Sequence, residues 1–159
     1  MYKANGMKLS KPTAVAITYL SRCCLSSRYV VNEYEVMKAL KAQNPSSSLE
    51  NFDGKSFLYQ VDTMRKTTVM ISMHGAQMTN LVFMYPGSIV VEIVNPQFYY
   101  FFYRELSRIA NMRHVLFQNT TIIEYVPDEV RKKWWNPNVN YKIRVNVSCL
   151  IMTLSHLNP

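Results

Sequence analysis

A chain of 159 residues, 48% of them hydrophobic, is long enough to bury the core of one domain, and this excludes an intrinsically disordered polypeptide. Its 18 basic and 10 acidic side chains give a formal charge of +8, which favours an anionic partner such as a diphosphate, a nucleic acid or a membrane surface. The nearest thing to a basic run, Arg131-Lys132-Lys133, is too short for a nucleic-acid arm, and no helix-turn-helix, zinc or aromatic-strand motif accompanies it, so a nucleic acid is not expected as partner.

Residues 1–12 read as an N-terminal extension and 13–159 as one domain. Val15 to Leu20 is a short continuous apolar run of the kind found in buried parallel strands. A polar loop follows to Val31, and Asn32 then stands where it would cap a helix with acidic residues in its first turn and an inner stripe of Val36, Met37 and Leu40. Asn44-Pro45 stops that helix. A short strand is expected between Leu49 and Phe52, and Ser56 caps a second helix whose Phe57, Leu58, Val61 and Met64 recur at helical spacing.

Val69 to Met73 is the next strand, and His74-Gly75-Ala76 turns into a helical segment ending near Met84. Pro86-Gly87 launches a strand from Ser88 to Val94. A helix over 97–111 is predicted with Phe98, Phe101, Phe102, Leu106 and Ile109 inside, and Val115 to Phe117 is a further strand. Beyond Val126 the chain turns irregular through Trp134-Trp135, and a last helix from Val147 to Leu157 presents Leu150, Ile151 and Leu154 inward. The alternation predicts an α/β fold: a Rossmann-like open parallel sheet with helices on both faces and ligands at the carboxyl ends of its strands.

Three loops leave those ends. The first carries Arg22 and Arg28, whose forked guanidinium groups suit phosphate oxygens. In the second, Gly75 and Ala76 let the backbone approach a ligand at a helix start, and His74 is placed to hydrogen-bond a diphosphate or a sugar hydroxyl. The third follows Glu92, a candidate acceptor for ribose hydroxyls. Plainer roles compete: a histidine capping a turn, solvated arginines, Glu92 paired with a lysine, and Thr79 and Asn80 satisfying the helix terminus.

The block from Ile71 to Ile93, with His74-Gly75-Ala76-Gln77-Met78-Thr79-Asn80 at its heart, resembles the signature of glycosyltransferase family 61. Ser21-Arg22 and Arg28-Tyr29-Val30-Val31-Asn32-Glu33 resemble the same family upstream, and the similarity runs over about residues 13–157, a final helix over Tyr141 to Leu157 included. The resemblance implies one lobe of a GT-B glycosyltransferase, the half that binds a nucleotide sugar, in an inverting enzyme that uses no metal or other cofactor and resides in the endoplasmic reticulum or Golgi. Arg22, Arg28, His74 and the segment from Gly75 to Asn80 would then face the nucleotide sugar, while a protein or glycan acceptor and the catalytic base would belong largely to another lobe. Gln77 departs from the small residue common after His-Gly-Ala in that family. On this basis the chain is expected to be a fragment that binds donor and needs the rest of the enzyme for turnover.

The three cysteines, Cys23, Cys24 and Cys149, have no metal spacing; buried free thiols are expected, with a single bridge from Cys149 to Cys23 or Cys24 the alternative. Asn119 and Asn146 begin sequons compatible with passage through the secretory lumen. No stretch approaches the ~18 apolar residues of a membrane span, and the first six residues lack a signal-peptide core, so membrane attachment would need a segment absent from this chain.

Overall fold

The computed structural model describes residues 11–22, 28–97, 100–125 and 141–157. In chain order these form β1 (Ile17–Leu20), β2 (Tyr29–Val30), α1 (Glu33–Gln43), β3 (Ser48–Glu50), α2 (Phe57–Lys66), β4 (Val69–Met73), a 3-10 segment (Ala76–Phe83), β5 (Ile89–Ile93), α3 (Phe102–Ile109), β6 (Arg113–Phe117), β7 (Thr120–Tyr125), β8 (Tyr141–Val145) and α4 (Val147–Ser155). Cys23, Cys24, Phe98, the basic triplet at 131–133 and the tryptophan pair at 134–135 lie outside the described residues.

Five strands make one parallel sheet in the order β3-β1-β4-β5-β6. The strands β1, β4 and β5 are buried along their whole length, which is why their sequences are continuous apolar runs rather than alternating ones. Side-chain alternation still sorts their two faces. Ile17, Tyr19, Val69, Ile71, Val91 and Ile93 pack with α1 and α4. Leu20, Met70 and Val90 pack on the other face with Met64 of α2, Met78 and Leu81 of the 3-10 segment and Tyr103 of α3. The sheet is thus covered on both sides, as the strand and helix alternation predicts. From β1 the chain moves outward to β3, then returns past β1 to β4, so the direction of winding reverses between β1 and β4. Crevices that receive ligands form at such a reversal, outside the carboxyl ends of the two strands.

A second sheet, β2-β8-β7, joins β2 to β8 in parallel and β7 to β8 antiparallel. It corrects the expected helix over Tyr141 to Leu157: Tyr141–Val145 is a strand, whose alternating Tyr141, Ile143 and Val145 are buried, and the helix starts only at Val147. A period of two across five residues outweighs helix propensity once a partner strand is present. Within α4 the expected inward residues hold, with Leu150 buried and Ile151 and Leu154 packed against the core.

Asn32 precedes α1 as expected, yet its side chain makes no cap bond. Its amide Nδ2 donates to the Val145 carbonyl at 2.9 Å, and its Oδ1 accepts from the Val145 N–H at 2.9 Å, stitching the start of α1 to β8. Ser56 does cap α2, accepting from the Tyr59 N–H. Along α2 only Val61 and Met64 of the expected stripe are buried; Phe57 and Leu58 are exposed because they sit in the first turn, beyond the sheet.

The helix α3 departs furthest from expectation. It begins at Phe102, and its buried residues are Tyr103 and Ser107, leaving Phe101, Phe102 and Ile109 at least half exposed. The later start rotates the face that meets the sheet, so a polar-tipped Tyr103 goes inside, where its hydroxyl finds a partner. Cys149 carries a free thiol that is only partly buried.

Candidate functional site

The end of β1 is held by Ser21, whose hydroxyl donates to Glu33 Oε2 of α1 at 2.8 Å. The next residue, Arg22, is thereby directed over the neighbouring strand end. Its Nη1 lies 1.3 Å from the point where a Cβ on Gly75 would stand, so no side chain fits at position 75 while the guanidinium is there. Gly75 has extended backbone dihedrals, φ 167° and ψ 171°, so its glycine is required by space and not by a left-handed conformation. The Tyr103 hydroxyl donates to the Gly75 carbonyl at 2.7 Å and fixes the other side of the same residue.

Arg28 joins this cluster. Burial depresses the Arg22 guanidinium below its usual range, the positive charge of Arg28 depresses it further, and Tyr103, Asp53 and Tyr141 act in the opposite sense. An arginine keeps its proton at any physiological pH, so the outcome is two cations held near each other in a partly desolvated place. That repulsion falls when a polyanion enters. Tyr141, at the start of β8, borders the group: burial pushes its phenol up, while Arg28 and Arg22 pull it down.

His74 and Glu92 meet beneath the cluster. Ser72 on β4 pairs in register with Glu92 on β5, which sets His74 two residues further along, diagonal to Glu92. His74 Nδ1 bonds Glu92 Oε1, and His114 Nε2 of β6 bonds Glu92 Oε2 at 2.8 Å. Glu92 is fully buried. Burial alone would raise its carboxyl, but the hydrogen bonds from His114 and His74 outweigh burial and hold it below the usual carboxylate range. Where sequence suggested ribose hydroxyls or a lysine as partners, the structure supplies two histidines. The His74 ring stands edge-on to Tyr103 at 5.0 Å and to Tyr100 at 5.9 Å between centroids. Burial, then the Glu92 charge, pushes the Tyr103 phenol up to about 12.

Of the residues expected at the site, Arg22, Arg28, His74, Gly75 and Glu92 converge at the ends of β1, β4 and β5. Ala76 is exposed at the start of the 3-10 segment. Thr79 and Asn80 are engaged locally, the hydroxyl donating to the Ala76 carbonyl at 2.7 Å and the amide to the Gln77 carbonyl at 3.0 Å. Gln77 reaches the loop before α2, where it accepts from the Phe52 N–H and donates to Asn51. Sequence pointed to neither Tyr103 nor His114: the first was hidden in an aromatic run, the second lies inside a strand on the far side of Glu92. Asn119 and Asn146, the sequon asparagines, are both exposed and adjacent, with the Asn146 N–H donating to the Asn119 carbonyl at 3.1 Å. Among the described residues, no cluster of three His, Cys, Asp or Glu side chains could hold a metal ion, and no helix is long and apolar enough to cross a membrane.

A family profile described as Glycosyltransferase 61 matches residues 2–91. The chain is similar to protein O-linked-mannose beta-1,4-N-acetylglucosaminyltransferase 2 of Xenopus tropicalis, with 33% identity over 127 residues that cover 76% of this chain and 22% of that protein. It is also similar to the EGF domain-specific O-linked N-acetylglucosamine transferase of Drosophila melanogaster, with 29% identity over 119 residues covering 72% of this chain and 22% of the relative. The chain therefore spans about a fifth of the length of these relatives.

Proposed function

The chain belongs to the glycosyltransferase 61 family, and on that premise we propose that it forms the nucleotide-sugar-binding lobe of a GT-B enzyme, with residues 13–159 as the binding domain. The reaction is transfer of a sugar from a UDP-sugar to a protein or glycan hydroxyl with inversion, in the lumen of the endoplasmic reticulum or Golgi, without a bound metal. The observation that carries this reading is the Arg22 guanidinium seated on Gly75 at the winding reversal between β1 and β4, with Arg28 close enough to repel it.

The chemistry follows from where charge develops. The acceptor oxygen bonds to the anomeric carbon as the glycosyl–phosphate bond breaks, and the electron pair of that bond leaves with the diphosphate. Arg22 and Arg28 bind phosphate oxygens that carry more charge in the transition state than in the donor, so they stabilise the former more. His74 adds a hydrogen bond to the diphosphate or a sugar hydroxyl. The hydroxyl proton goes to a base on another lobe, and no side chain of this domain is assigned that role.

Calorimetry with UDP and a panel of nucleotide sugars tests the proposal. Binding is expected in the wild-type chain, weakened about tenfold or more in Arg22→Ala and His74→Ala, consistent with loss of one charge-assisted contact. Equal affinity in both variants would remove the site. Affinity that falls steeply with salt and is indifferent to UDP would mark a nucleic-acid binder instead. Intact binding without transfer by the complete protein would mark a binding protein that has lost turnover.

A further inference from the structure

Glu92 is shared by two histidines that reach it from opposite sides, and only one of them faces the proposed ligand. His74 at the end of β4, Glu92 on β5 and His114 on β6 form a diagonal across three adjacent parallel strands, each residue set back two places from the register of the one before. The line is largely buried: the side chains of His74 and His114 are each 10% exposed and that of Glu92 is fully buried.

An ionised carboxylate can only accept hydrogen bonds, so both contacting ring nitrogens carry hydrogen. His74 is therefore protonated at Nδ1, and the donor-site reading assigns the ligand to the ring edge turned away from Glu92. His114 is protonated at Nε2, and with Glu92 it lines a cleft of about 250 Å³ bordered by Val94, Tyr100, Arg104 and Leu116. His114 stands on β6 with Glu92 of β5 between it and His74, so its hold on His74 passes through Glu92.

We propose that His114 is a positioning residue for nucleotide binding, acting through Glu92 to fix the tautomer and ring orientation of His74. This rests on the reading of His74 as a donor-site residue. Removing the His114 N–H leaves Glu92 Oε2 buried without its acceptor bond satisfied, and the carboxylate is then free to rotate or to take up a proton. Either change releases the hold on His74 Nδ1. Partners of this outer kind, which orient the group that touches the ligand, commonly alter affinity by tenfold or more when removed.

Imidazole nitrogen NMR and calorimetry on the same chain decide the matter. In the ligand-free wild type, His74 is expected as the Nδ1–H tautomer. In His114→Leu its tautomers should mix and UDP affinity should fall about tenfold, while His114→Gln, which can place an amide N–H near the position of the ring donor, should keep affinity within about threefold. An Nε2–H tautomer for wild-type His74 overturns the proposal, as does an unchanged tautomer or unchanged UDP affinity in His114→Leu. If that variant fails to fold, the wild-type tautomer and His114→Gln carry the decision. Absence of UDP binding in the wild type would sink the donor-site reading and with it the nucleotide role of His114, while the tautomer, measured without ligand, separately tests the hold of His114 on His74.

Discussion

The guanidinium of Arg22 occupies the volume that a side chain on Gly75 would need, with Nη1 1.3 Å from the Cβ position. Two strand ends that are 53 residues apart in sequence are thus interlocked: the arginine can lie across β4 only because the residue after His74 has no side chain. The obstacle to a larger residue is the end of one long side chain rather than backbone, which separates an effect on binding from an effect on folding.

Gly75→Ala is accordingly expected to cost under about 1 kcal/mol of stability, because Arg22 can swing away, while nucleotide affinity falls about tenfold. Arg22→Ala should do the same, and the double variant should bind no worse than either single one, since both remove the same contact. A four-point cycle by calorimetry with parallel urea melts checks this; additive losses would separate the two residues.

Glu92→Gln should destabilise the fold by about 3 kcal/mol at pH 7, because two histidine N–H groups then face one buried amide. The native carboxyl titrates below its unfolded value of about 4.3, so its contribution is present above that pH and is lost as pH falls through the lower folded value. Urea denaturation across pH 7 to 3 should show an acid loss in the wild type that is smaller in the variant. Superimposable curves would refute the assignment.

Alkali offers the opposite sign at Tyr103. Its phenol is raised to about 12, so its contribution is complete below the unfolded value of about 10 and disappears as pH climbs through about 12. Tyr103→Phe, which also deletes the bond to the Gly75 carbonyl, should cost about 1 kcal/mol at pH 7 and flatten the alkaline limb. The check is a denaturation series from pH 8 to 12.

Asn32→Ala should cost about 2 kcal/mol, since it strips partners from both backbone groups of buried Val145. Ser56→Ala, a true helix cap at the surface, should cost about 1 kcal/mol. Thermal melts of the two variants rank them, and the reverse order would show that Asn32 serves α1 rather than β8.

Much of the frame is written locally. The continuous apolar runs at Ile17, Val69 and Ile89 announce buried parallel strands, and the stripe of Val36, Met37 and Leu40 announces a helix facing them, because burial on two faces or on one stripe leaves a periodic mark in the chain. Arg22, Arg28, His74, Gly75 and Glu92 stand out as candidates on other grounds: they lie at strand ends of an alternating α/β chain, where ligands sit, and the family resemblance gives Arg22, Arg28, His74 and Gly75 weight that residue chemistry alone does not.

What the chain cannot declare locally is which side chains meet across strands. The diagonal from His74 through Glu92 to His114 depends on the register of β4, β5 and β6, and a shift of one residue would turn Glu92 to the opposite face of the sheet. The burial of Tyr103 depends on where α3 begins, and the strand at Tyr141–Val145 on partners more than fifteen residues away in β7 and over a hundred away in β2. Sequence determined the strands of the parallel sheet and the strand ends at which the candidate site gathers; tertiary structure alone decided the second sheet and the partners, because periodicity records whether a residue is buried and not what it is buried against.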